Sequence, residues 1–148
     1  MKKIAGYLSE RLQKISLIAL SIGIVYLWFG LLKFFPNISP AEELARNTVD
    51  RLTFGLIPPN ISFILLAIWE TVIGLLLILN MLKRFTIVLA LVHMVCTFTP
   101  LFFFPEVTFT EIPFSLTLTG QYIIKNVIII GALVMLLIEH RKSPRAIV

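Results

Sequence analysis

The sequence predicts an all-α, polytopic membrane protein: a four-helix bundle with both termini in the cytoplasm and a short amphipathic helix on the outer surface between spans one and two. Three observations predict it. Hydrophobic residues make up 58% of the 148 and charged residues only 14%, against about 25% charged in a soluble domain. Four apolar stretches are each long enough to cross a hydrocarbon core of about 30 Å at about 1.5 Å per residue. The basic residues gather at one set of helix ends. With a mean hydropathy of +0.96, this balance excludes a disordered chain, a nucleic-acid-binding tail and an ordinary soluble enzyme. A single cysteine excludes an intrachain disulfide framework, a CxxC redox pair and a cysteine-rich zinc site. The length suits one integral-membrane domain over residues 1–148.

The spans are expected at about 15–35, 61–82, 85–104 and 116–138. Their apolar residues lie all round the helix, unlike the single stripe of a soluble amphipathic helix. The alternation of barrel strands is absent. Span one is read as a retained helix rather than a secretory signal. About a dozen residues separate Lys2-Lys3 from the run, which is too long for a signal core, and no small-x-small site follows. Lys2, Lys3, Arg11 and Lys14 precede span one, Lys83 and Arg84 join spans two and three, and Arg141, Lys142 and Arg145 follow span four. By the positive-inside rule all of these face the cytoplasm of an inner membrane. Arg46 and Arg51 lie opposite, among Glu42, Glu43 and Asp50.

The short basic turn makes spans two and three an antiparallel hairpin. In the longer linker, Ser39-Pro40-Ala41-Glu42 reads as an N-cap, a proline at N1 and a capping-box glutamate, predicting a helix from about Pro40 to Thr53. Ala41, Leu44, Ala45 and Leu52 share one face of it, which suits the outer membrane surface or a solvated connector equally. Gly55, Pro58 and Pro59 then break the chain. The outer loop Pro105 to Pro113 reads either as an interfacial dip or as a short hairpin.

Three ionisable residues fall at membrane depth: Glu70, His93 and Lys125. A charge at a helix centre costs about 2.5 to 3.5 kcal/mol on insertion scales, so a pairing of Glu70 with Lys125 is expected. Each span has one face of small or polar residues. These are Ser16, Ala19, Gly23, Tyr26, Gly30 and Lys33 on span one, Glu70 and Gly74 on span two, Thr86, Ala90, His93, Thr97 and Pro100 on span three, and Thr117, Gln121 and Lys125 on span four. Such faces let helices approach closely and should converge on a polar centre. Lys33, Gln121 and Tyr122 bias that centre outward, and Trp28, Trp69, Phe98 and Tyr122 are candidate aromatic walls. Structural readings stand beside these: a buried ion pair for Glu70, snorkelling for Lys33, a helix-bridging Asn126 and a packed Cys96. His140 sits at the far end of span four, which disfavours two-histidine haem ligation, and no metal, haem or flavin motif is seen.

Gly30-Leu31-Leu32-Lys33-Phe34 resembles the G-x-x-K-F signature of DoxX-like membrane proteins, and Glu70-Thr71-Val72-Ile73-Gly74-Leu75-Leu76-Leu77 resembles that family's E-x-x-x-G-x-x-L stretch. The outer linker and the His93 and Lys125 segments are similar to a branch of small proteins linked to reactive-chlorine resistance and oxidative stress. The resemblance implies a four-helix inner-membrane protein, some of whose relatives are subunits of quinone-linked oxidoreductases such as thiosulfate:quinone oxidoreductase.

Three functions follow as expectations. The first is a redox-associated subunit that binds a quinone or other lipophilic molecule in a polar cavity open to the outer side. Glu70, His93 and Lys125 would do the chemistry there, with Tyr26, Lys33, Trp69, Gln121, Tyr122 and Asn126 lining the ligand. Its partners would be the bilayer, a redox subunit or another copy of the chain, and no nucleic acid. The second is a small proton-coupled transporter built on the midplane Glu70. The third is a non-catalytic scaffold subunit.

Overall fold

The computed structural model describes residues 16–35, 38–39 and 41–142. The N-terminal basic residues Lys2, Lys3, Arg11 and Lys14, together with Ile15, Pro40 and Arg145, lie outside them. The elements are α1 (Leu17–Leu32), α2 (Glu42–Leu52), α3 (Pro59–Ile78), α4 (Lys83–Cys96), α5 (Pro100–Phe103), α6 (Pro105–Thr108), β1 (Phe109–Glu111), β2 (Ser115–Leu116) and α7 (Leu118–Lys142). Among the described residues three helical stretches are long and apolar enough to cross a membrane: Pro59–Ile78, Lys83–Phe103 and Leu118–Arg141. The fourth, α1, is a shorter apolar helix of 16 residues.

Helix α1 packs most extensively along α3, α4 against α7, and α2 upon α3. Among the described residues a buried apolar cluster draws on four helices, with Tyr26 from α1, Ile73 and Leu77 from α3, Ala90 and Met94 from α4 and Leu133 from α7 among its members. The outward surface is also apolar, as in Trp28, Val92 and Ile128. Apolar residues inside and out are what hydrocarbon requires, since burial from water no longer sorts the faces.

Glycine therefore matters most where helices touch. A Cβ at Gly74 would lie 2.5 Å from Leu27 N, and one at Gly30 would lie 2.7 Å from Thr71 N. At Gly23 it would meet Gly74 O at 3.0 Å. The missing side chains let the α1 and α3 backbones nearly touch.

The helix ends explain the connections. Helix α3 closes in a Schellman motif, with Asn80 at a φ of 57°, Asn80 N–H donating to Leu77 O (3.2 Å) and Met81 N–H to Leu76 O (2.9 Å). The turn is thus Leu79 to Leu82. Lys83 and Arg84, expected to form it, instead open α4. Pro100 has no N–H for the Cys96 carbonyl, and the Thr99 hydroxyl donates to that oxygen at 2.8 Å. The long third stretch therefore bends into α4 and α5. The outer loop resolves its two readings as a hairpin, with β1 antiparallel to β2 and Phe109 opposite Leu116.

The linker helix departs from expectation at its start. It begins at Glu42, with Ala41 in the left-handed region at a φ of 52°, so the expected cap is not made. The Ser39 hydroxyl is buried and has no hydrogen-bond partner. Glu42 and Glu43 in the first turn complement the positive end of the helix instead. Arg46 fixes α2 to α3. Its guanidinium donates to Glu42 Oε1 (2.8 and 3.0 Å) and to Asn60 Oδ1 (2.8 Å), and stacks over Phe63 at 4.3 Å. Of the expected apolar face, Leu44 and Ala45 are half-buried and Ala41 and Leu52 are exposed, while Thr48 is the residue that is buried.

Candidate functional site

The small-residue contact that brings α1 to α3 also sets the site. Gly30 abuts Thr71, and Lys33 follows one turn later as the C-cap of α1. Its side chain turns back along the helix. The ammonium donates to Glu70 Oε2 at 2.6 Å and lies 3.4 Å from Phe29 O. Glu70, in the middle of α3, presents its other oxygen to His93 Nε2 of α4 at 3.3 Å. One carboxyl group therefore gathers cationic or proton-bearing groups from two further helices. The three side chains are only 10%, 9% and 12% exposed.

Behind His93 stands Tyr26 of α1, which is 3% exposed. Its hydroxyl donates to Ala90 O at 3.0 Å and lies 3.1 Å from His93 Nδ1. The two rings are tilted by 59° with centroids 5.5 Å apart. Each member of the chain Lys33–Glu70–His93–Tyr26 is thus held at hydrogen-bonding distance to the next. Charge–charge contacts of this length are far stronger at this burial than in water. The Thr71 hydroxyl, next to Glu70 in sequence, is buried without a partner.

The expected pairing of Glu70 with Lys125 is not made. Lys125 is exposed on α7, with its ammonium 5.0 Å from the Tyr122 ring centre. Gln121 and Tyr122 share that exposed side and do not reach the centre. The physical reason lies in the rotation of α7, which turns Gly120, Ile123, Leu133 and Leu136 inward. Asn126 does bridge helices, donating to Thr97 Oγ1 at 3.1 Å. On α1 and on the α4–α5 stretch the expected faces turn inward: Ala19, Gly23, Tyr26 and Gly30 are buried, as are Thr86, Ala90 and Pro100. Lys33, expected as a ligand-lining residue or a snorkelling one, is the true ion partner of Glu70.

Trp69 lies beside the centre rather than in it. With Leu65, Ile68, Val72, Ile73 and Leu89 it lines an open apolar groove of about 380 Å³ between α3 and α4. Ile73 follows Glu70 by three residues and Leu89 precedes His93 by four, so the groove runs one helical turn from the charged groups. Trp28 and Tyr122 face outward. Among the described residues no three His, Cys, Asp or Glu side chains are placed to hold a metal ion, and Cys96 is half-buried with a free thiol.

Tyr26 escaped notice as a partner of His93 because sixty-seven positions separate them; the cue in the sequence was only its place on the small-residue stripe with Gly23 and Gly30. No curated protein and no solved structure matches the chain. A family model does, that of DoxX, over residues 15–105. The match takes in Tyr26, Lys33, Glu70 and His93 and stops before α7. It covers more than half of the 148 residues, and the chain belongs to the DoxX family of membrane proteins.

Proposed function

We propose that this DoxX-family protein is a single integral domain of the cytoplasmic membrane. On this reading it is a four-helix bundle with both termini inside and α2 on the outer face, which binds a quinone or similar lipophilic molecule beside Glu70 as part of a redox system. The observation that carries this reading is the continuous chain of proton-bearing groups from Lys33 through Glu70 and His93 to Tyr26. A purely structural ion pair needs two members; this one continues through an imidazole to a phenol.

The donor set suits a quinone. A carbonyl oxygen asks for a donor, and Lys33 Nζ and His93 Nε2 converge on one carboxyl group, each with a small accessible edge. The groove lined by Trp69, Ile73 and Leu89 suits an isoprenoid or alkyl tail. A bound quinone would supply the two-electron, two-proton chemistry. The chain's own part is to orient the head group, exclude water and hold a proton between Glu70 Oε1 and His93 Nε2. Electrons would come from a partner subunit or a soluble reductant. A proton-for-cation exchanger fits less well, because the Lys33 ammonium already takes Glu70 Oε2.

The test is binding of decylubiquinone and menadione to protein in nanodiscs. Saturable binding that weakens at least tenfold in His93→Gln is the expected result. Absence of saturable binding to the unaltered protein overturns the reading.

A further inference from the structure

We infer that the outward face of α7 docks a transmembrane helix of another protein, one that carries a carboxyl group opposite Lys125. The inference goes beyond the ligand read beside Glu70 and does not depend on it.

Helix α7 is inverted for a helix bathed in lipid. Its buried side is apolar, with Ile123, Leu133 and Leu136. Its exposed side holds Gln121, Ile124, Lys125, Ile128, Gly131 and Met135, which at about 100° per residue fall within about 120° of arc. Of the three long apolar stretches among the described residues, it is also the one least covered by the rest of the chain.

Depth makes the polar residues costly. The midpoint of Leu118–Arg141 lies between Ile129 and Ile130. Lys125 therefore stands about 7 Å from the middle of the span, well inside a hydrocarbon half-thickness of about 15 Å. Ionisable side chains at such depth face a protein interior or a water-filled cavity and pair with one another. Lys33 and Glu70 obey that rule within this chain, at 2.6 Å. Lys125 has the face of Tyr122, 5.0 Å from its ammonium, and belongs to none of the ion pairs among the described residues. A carboxylate at the same depth completes it. Gln121, one turn away on the same face, adds an amide donor for that carboxylate.

Charge argues against a second copy of the chain as the source. Of the eight acidic residues in the sequence, Glu70 alone falls in the middle of an apolar stretch. It is buried and already shared between Lys33 and His93. Two copies joined through α7 about a two-fold axis would also set like charge against like. The occupant is thus a different membrane protein. Nothing lies within 4 Å of where a Cβ on Gly131 would be, so a neighbouring helix can approach the α7 main chain there, as α1 and α3 approach each other at Gly30 and Gly74.

The experiment uses leucine-rich helices of about 20 residues, identical except for a glutamate, a glutamine or a leucine one third of the way from one end. Energy transfer reports their association with the full chain in zwitterionic nanodiscs. The fluorophore sits on Phe114→Cys, an exposed position, in a Cys96→Ser background. The glutamate helix should associate at least tenfold more tightly than the other two. Lys125→Met should remove that advantage, and Gly131→Leu should weaken the association at least threefold with Lys125 intact. Lys125→Glu should transfer the preference to a lysine-bearing helix. Equal association of the three helices, or a glutamate preference that survives Lys125→Met, overturns the inference. Two other results also overturn it. Lys125-dependent energy transfer between two copies of the chain without any peptide would make the occupant a second copy. Lys125-dependent enrichment of phosphatidylglycerol, with no binding of the glutamate helix, would make it a lipid phosphate.

Discussion

Glu70 is one carboxyl group shared by two partners, and that sharing predicts its mutational signature. Glu70→Gln leaves the Lys33 ammonium buried beside a weak acceptor. Breaking one side of a buried pair costs about 3 to 5 kcal/mol, so the thermal transition in detergent should drop markedly. Adding Lys33→Met removes the stranded charge and should recover much of the loss, a non-additivity that a double-mutant cycle reads directly. Lys125→Met should not destabilise the fold, because that side chain is exposed on α7 against the Tyr122 ring and its charge is unfavourable at membrane depth. The contrast shows what the sequence carried. It marked Glu70 and His93 as central, because charge at membrane depth needs a reason. It did not mark which lysine answers Glu70. Both Lys33 and Lys125 lie on polar stripes, and the choice depends on how far α7 is rotated about its axis, a property of packing between helices. Tyr26 was marked as lining a ligand, but its link to His93 joins residues far apart in the chain.

At the level of elements, the α1–α3 contact is the strongest constraint. Gly74→Ala puts a methyl group 2.5 Å from the Leu27 backbone nitrogen, where no side-chain rotation relieves it. Overpacking of this kind costs about 1 to 3 kcal/mol. Gly131 on α7 meets nothing within 4 Å, so Gly131→Ala should stabilise by up to about 1 kcal/mol through helix propensity. Paired melting curves would separate the two. The C-terminus of α2 offers a third case. Phe54 occupies the left-handed position at a φ of 54°, with its N–H on Arg51 O, and Gly55 N–H reaches Asp50 O. A residue with a Cβ is strained there by about 1 to 2 kcal/mol, and Phe54→Gly should raise the melting temperature. The sequence placed the apolar helices well because a continuous hydrophobic run needs no partner to be recognised. The end of α3 was read four residues late, since Leu79, Met81 and Leu82 look helical and only the αL geometry at Asn80 reveals the turn. The start of α2 failed for a related reason: the capping-box letters were present, but Ala41 turns the backbone away from Ser39.

For the whole molecule, the charge asymmetry yields an orientation that labelling can check. In a Cys96→Ser background, a cysteine placed at Arg84 should react with an impermeant maleimide only from the cytoplasmic side, and one at Phe114 only from the outside. The reverse pattern would invert the proposed topology. The glycine contact has a mechanical consequence for such a molecule. Helices α1 and α3 approach main chain to main chain at Gly23, Gly30 and Gly74, so they form one close-packed rail on which Lys33 and Glu70 sit together. His93 rides on a separate arm, joined to that rail by a bend at Asn80 and Leu82 whose left-handed backbones differ from any helix. The rail nevertheless reaches across to that arm through Tyr26, whose hydroxyl donates to Ala90 O and lies 3.1 Å from His93 Nδ1, so the acid and the imidazole are registered from the same side.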